Sequence, residues 1–263
     1  MSLSRRAFLG STSLALVPTV WGTISAAPLA SAALPPSSFP TQPADLAREM
    51  VKVAHGDPVR VKALLDRNPT LARAAWDWGF GDWEDALGAA SHVGHHEIAA
   101  LLLANGARPT IFSAAMLGEL EVVRAFIAAS PGIEATPGPH GITLLSHALN
   151  GGPGAKDVAE YLKTLPGANH RPDSQPITAD QMATLTGDYV YGSAADERIA
   201  IAVANNALQF ARPGATARIL THVGDLAFYP SGAPAVRIQF RASGSAMLLT
   251  VHDPDLVLEA RRT

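Results

Sequence analysis

The stretch Asp85-Ala-Leu-Gly-Ala-Ala-Ser-His-Val-Gly94-His-His-Glu-Ile-Ala-Ala-Leu-Leu-Leu-Ala-Asn-Gly106-Ala107 reads as two helices with a turn between them. Leu87, Ala89 and Ala90 give the first helix a short apolar face. Gly94 turns the chain. Ile98, Leu101, Leu102 and Leu103 give the second helix its own face. Gly106 follows the second helix, where a left-handed backbone is favoured and glycine adopts it without strain. One such pair cannot bury both apolar faces, so the unit asks for neighbours.

The neighbours are present in the sequence. Gly56-Asp57 leads into Val61, Leu64 and Leu65. Gly118-Glu119 leads into Val122, Val123, Phe126 and Ile127, after Ala114 and Ala115. A fourth unit opens at Thr143-Leu144-Leu145-Ser146-His147-Ala148 and ends at Gly167-Ala168-Asn169. The turn glycines 56, 94, 118 and 152 are 38, 24 and 34 residues apart. The long first gap holds an insertion at 72–84, and the short second gap runs straight from Arg108-Pro109-Thr110 into a helix. These units resemble ankyrin repeats, whose period is about 33 residues. The Thr143 segment resembles that family's Thr-Pro-Leu-His-x-Ala opening, with Leu144 in the place of proline. The resemblance implies a stack of about four helix pairs over residues 44–170. It also implies a rigid surface that binds a protein partner through finger loops and first helices.

From about residue 181 the period changes from helix to strand. Ile199, Ile201 and Val203 alternate with small residues, and Asn205-Asn206 suits a two-residue hairpin turn into Leu208 and Phe210. Val236, Ile238 and Phe240 alternate with Arg237, Gln239 and Arg241. About eight short strands fit into residues 181–263, which predicts a small antiparallel β barrel or curled sheet. Leu185-Thr186-Gly187-Asp188-Tyr189 and the final Leu256-x-Leu258 resemble a β domain appended to penicillin-binding-protein-like serine hydrolases. The expected fold class is therefore α + β in separate domains, joined by a linker at 171–180.

The N-terminus reads as an address. Ser4-Arg5-Arg6-Ala7-Phe8-Leu9 resembles a twin-arginine export signal, an apolar stretch follows, and Ala30-Ser31-Ala32 offers a cleavage site. A cleaved signal over 1–32, then a Pro-rich linker over 33–43, predicts a periplasmic or secreted protein without stable membrane insertion. The formal charge is −3, which becomes near −5 once Arg5 and Arg6 leave with the signal. Nothing there matches a nucleic-acid footprint, which needs a basic stripe. The absence of cysteine excludes disulfides, thiolate metal sites and a thiol nucleophile.

The sequence carries few marks of catalytic chemistry. No serine is followed three residues later by lysine, no Gly-x-Ser-x-Gly occurs, and no phosphate loop is present. His96-Glu97 begins like a zinc-protease helix, but Ala100 stands where the second imidazole belongs. His92, His95 and His96 form the densest histidine cluster. Gly94 interrupts it, and His95 suits a turn position that bonds locally. His140 and His147 fit turn and first-helix positions. No catalytic residue, metal ligand or cofactor is assigned on these grounds, and the chain is expected not to be an enzyme.

The remaining feature is the insertion Trp76-Asp77-Trp78-Gly79-Phe80-Gly81-Asp82-Trp83-Glu84-Asp85. It holds three of the four tryptophans of the chain. Tryptophan is enriched at binding hot spots, because it buries a large area and keeps an N–H donor. Trp76, Asp77, Trp78, Phe80, Asp82, Trp83, Glu84 and Asp85 are the expected partner-binding residues, unless the rings cap the stack instead. Two other classes stay open. One is an enzyme or accessory subunit with a polar site where the helical and β domains meet, for example at Asp188, Asp225 or His222. The other is a small-molecule carrier using the β domain as a cup.

Overall fold

The computed structural model describes residues 37–254 and 256–263. The export signal read at 1–32 and the first part of the Pro-rich linker lie outside the described residues. Helices occupy the region after Thr41: α1 (Ala44–Val53), α2 (Pro58–Arg67), α3 (Ala86–His92), α4 (His96–Ala104), α5 (Ile111–Leu117), α6 (Leu120–Ala129), α7 (Leu144–Asn150) and α8 (Lys156–Lys163). Short polar residues start many of them. Asp57 accepts from Arg60 N ahead of Pro58, Asp85 from Gly88 N, His95 from Ile98 N, and Thr110 and Ser113 form a reciprocal capping box. Such caps satisfy amide donors that have no partner inside the helix.

Consecutive helices pack as pairs, and first helices pack on first helices: α1 on α3, α3 on α5, α5 on α7. The alanines explain the close approach, with Ala89, Ala90, Ala114 and Ala115 all buried between layers. An evenly spaced stack would keep α3 and α7 two layers apart. Here they meet. Asn150 Nδ2 donates to His92 O, and His96 Nε2 lies 3.0 Å from Gly151 O. A side chain at Gly94, whose φ is +74°, would strike Asn150 O at 2.1 Å. Gly94 and Gly151 allow this approach, since a Cβ at either would strike backbone of a neighbouring element.

Within the insertion, β1 (Ala75–Asp77) and β2 (Trp83–Asp85) form a two-stranded antiparallel ribbon. Beyond α8, a further short helix that strand periodicity did not reveal, α9 (Ala179–Leu185), is capped by Thr178 and Gln181. Eight strands follow: β3 (Gly187–Val190), β4 (Arg198–Ala204), β5 (Ala207–Ala211), β6 (Arg218–Gly224), β7 (Ala227–Pro230), β8 (Arg237–Ser243), β9 (Ala246–Asp253) and β10 (Leu256–Arg262). They form a closed antiparallel barrel in which β10 returns to pair with β3. Asn205 and Asn206 take φ of 50° and 60°, as a two-residue hairpin turn of this hand requires. The interior is filled by side chains, including Tyr189, Phe228 and Phe240, which suits a barrel of eight strands. The carrier reading gains no support from that packing. From Thr41 to Thr263 the helices and the barrel form one compact unit.

Candidate metal centre

The ribbon places its residues by alternation. In β2, Trp83 faces solvent at 64% exposure while its neighbour Glu84 is 1% exposed. Glu84 enters a space walled by three imidazoles. His55 follows α1, His92 ends α3, and His140 lies in a turn ahead of α7 with a left-handed φ of 59°. His55 Nε2 is 3.5 Å from Glu84 Oε2, His92 Nδ1 is 3.1 Å from Oε1, and His140 Nε2 is 3.4 Å from Oε2. One ligand atom from each of the four residues lies within 4.8 Å of every other.

A second ring of groups orients the first. His55 Nδ1 donates to Val51 O at 3.0 Å, which turns its Nε2 toward Glu84. Trp78 Nε1 donates to Glu84 Oε2 at 2.7 Å. Asp82 accepts from the His140 amide at 2.9 Å and from His140 Nδ1 at 2.7 Å. Asp82 also pairs with Arg218 of the barrel, and Arg218 donates in turn to Ser231 O. Asp82 and Arg218 are both buried, so this pair joins the helical part to the barrel away from solvent.

Charge follows from these contacts. Burial pushes Glu84 toward its neutral form, but the adjacent His140 and His92 imidazoles outweigh it and hold the carboxyl near a pKa of about 2. Burial likewise opposes charge on His140. The Asp82 and Glu84 carboxylates prevail and raise it to about 9. Asp82 stays below its ordinary value because His140 and Arg218 overcome its burial. His147, behind His92, is different: burial lowers it to about 4, so it is a neutral imidazole. Its Nδ1 is 3.0 Å from Thr143 O.

Among the four residues of the cluster, the hydrogen bonding is incomplete at one place. Glu84 Oε1 and His92 Nδ1 are buried 3.1 Å apart, an ion-pair contact without hydrogen-bond geometry, and neither atom makes a hydrogen bond to any other group. Buried polar atoms without partners are rare, and an ion is one of their ordinary explanations. No family model matches the chain, and no curated protein matches it. The site is therefore read from its own chemistry.

Three imidazole nitrogens and one carboxylate oxygen form a donor set that zinc(II) and its first-row neighbours accept. The outer groups suit it as well. A ligand histidine ordinarily donates its other N–H to a carboxylate or a carbonyl, as His140 does to Asp82 and His55 does to Val51.

The insertion expected to face a partner is mostly turned to internal tasks. Trp76 is half-buried with the Arg48 guanidinium 5.7 Å from its ring. Asp77 accepts from Gly79 N in the ribbon turn, and Asp85 caps α3. Phe80 packs edge-on against Phe210 of the barrel. Asp82, Glu84 and Trp78 belong to the centre. Trp83 alone of the eight presents a large exposed ring. Of the histidines weighed together in the sequence, only His92 enters the cluster. His95 caps α4 and His96 meets Gly151 O. His222 meets the linker carbonyls of Gln175 and Pro176, while Asp188 and Asp225 lie in β3 and the β6–β7 turn, outside the cluster. His55 and His140 carry no local sequence signal, since neither has a neighbouring ligand in sequence.

Proposed function

We propose that this protein is a metal-binding, ankyrin-type recognition module that holds zinc(II) or a similar divalent ion at His55, Glu84, His92 and His140. The observation that carries this reading is the convergence of Glu84 and three imidazoles, with Glu84 Oε1 and His92 Nδ1 buried and lacking a hydrogen bond, and the other two imidazoles oriented by partners of their own. The stacking of first helix on first helix supports the ankyrin part of the reading. A centre with four protein donors is the arrangement of a structural zinc site. Bound there, the ion would tie α1, the ribbon, α3 and the turn before α7 to one another. The twin-arginine resemblance supports a periplasmic or secreted setting for it.

The test is metal content and geometry. Purified protein is stripped with chelator, then titrated with cobalt(II). One equivalent bound with the intense visible bands of a tetrahedral cobalt site supports the reading. Absence of stoichiometric binding, or equal binding by His92→Ala and Glu84→Gln, overturns it. Recognition of a protein partner is a second role of the same module, favoured by the 64% exposure of Trp83 beside the centre. A partner retained by the wild type and lost by Trp83→Ala would support it.

A further inference from the structure

A cleft of about 210 Å³ opens between the turn before α7, the linker after α8 and the outer face of the barrel. His140 forms part of its wall, together with Arg171, Ser174, Thr221, Tyr229 and Ser231. Thr221 and Tyr229 are register partners on β6 and β7, and both point away from the barrel core that Leu220 and Phe228 fill. Tyr229 is 7% exposed, so its ring is covered by the junction while its side chain borders the cleft. Among the described residues, none of the Tyr229, Thr221, Ser174 and Ser231 hydroxyls makes a hydrogen bond, and the Arg171 guanidinium has no ion pair. The nearby Asp82 carboxylate is already matched by Arg218 and His140. The Arg171 charge is thus not neutralised from within the wall.

Arg171 and Ser174 are exposed while Tyr229 is covered, so the cleft offers polar groups open to a ligand in a concave junction, a usual place for a binding site. A guanidinium matches the oxygens of carboxylate or phosphate, and hydroxyl donors add to the same recognition. We infer that this cleft binds a small molecule bearing an oxyanion, carboxylate or phosphate, with Arg171 and Tyr229 as its principal contacts. Proline side chains at 137, 172 and 234 give the rim apolar surface for a short carbon stem. The volume admits on the order of ten non-hydrogen atoms, well below a drug-sized ligand. The inference rests on the proposed metal reading only through His140, whose ring would be fixed on one side by the ion and would form the cleft wall on the other.

The experiment titrates the full-length protein with inorganic phosphate and, separately, with butyrate, following amide shifts by NMR. Metal content is measured on each sample. Saturable shifts at residues 171–174 and 229–232 with one of the two probes are expected, and the probe that binds tells phosphate from carboxylate. Arg171→Gln and Tyr229→Phe should each weaken that binding by about tenfold or more, roughly 1.4 kcal/mol. Both variants should keep the wild-type spectrum elsewhere, which separates lost contacts from lost fold. Binding of neither probe, or undiminished binding by Arg171→Gln, overturns the inference. A protein that lacks metal yet binds a probe would fail the metal reading alone and leave the cleft standing.

Discussion

Replacing Arg218 by methionine tests the junction most directly. Arg218 reaches from β6 to Asp82, and both side chains are nearly inaccessible, at 7% and 3% exposure. Methionine keeps much of the aliphatic bulk and removes the charge. Breaking a buried ion pair from one side costs about 3–5 kcal/mol, because the remaining charge stays buried without its partner. Here Asp82 keeps His140 as a second cationic neighbour, at 2.7 Å, which places the expected cost near the lower end, about 3 kcal/mol. With a urea dependence of about 2 kcal/mol per molar, the unfolding midpoint should fall by about 1.5 M. Urea titration followed by circular dichroism reads this. The double variant Asp82→Asn with Arg218→Met should cost less than the sum of the single ones, since no unpaired charge remains. An Arg218→Met protein within about 0.5 kcal/mol of wild type, the range of ordinary surface changes, would refute the account of the junction.

Two further outcomes follow from the centre. In chelator-treated protein, the His140 contribution to stability should be fully present below about pH 6.5 and should vanish as pH climbs through about 9, because folding raises that imidazole between those values. The size is on the order of 3 kcal/mol, counted once for the His140 pairing with both carboxylates. Stability measured at intervals across that range should lose this slope in His140→Gln, and an unchanged slope would assign it elsewhere. Trp78→Phe keeps an aromatic ring but removes the indole N–H from Glu84, a hydrogen bond to a charged group that contributes about 1.5–3 kcal/mol. Chelator competition should also show metal affinity weakened by about 10–100-fold, the usual cost of an outer-shell partner. Unchanged affinity would remove Trp78 from the centre.

Much of the architecture was legible because it is periodic. Ile98, Leu102, Ala89 and Ala90 declare a helix pair by their spacing, and all four are fully buried. The Asn205-Asn206 turn and the alternation of Ile238 and Phe240 declare strands in the same way. The centre was not legible, because it is assembled by tertiary contact. Its ligands come from the end of one first helix, from a ribbon, from the next first helix and from a turn ahead of the fourth pair. His140 reaches them because α7 packs back against α3, and the sequence offers the shortened spacing between units without its direction. The Trp-rich insertion stands out in the sequence for its rings, whereas its carboxylates Asp82 and Glu84 are what the structure buries. Only alternation along β2, unknown until the ribbon is seen, separates inward Glu84 from outward Trp83.

The same geometry sets how a metal would compete for its place. Glu84 and Asp82 lie inside with Arg218 as one fixed cation, so the site asks for a second positive charge. In metal-free protein His140 supplies it as an imidazolium, held by both carboxylates. In that state a proton on His140, and not an ion, balances the buried carboxylates, unlike small domains in which the ion is the core. Binding at His140 Nε2 must displace that proton. With a pKa of about 9, deprotonation at pH 7 weakens apparent affinity about 100-fold, roughly 2.7 kcal/mol. Affinity for the ion should accordingly rise about tenfold for each pH unit between 7 and 9 and then level off. A zinc dissociation constant that stays flat across that interval would mean that His140 is not a ligand, and that its carboxylates serve only to hold an imidazolium at the junction.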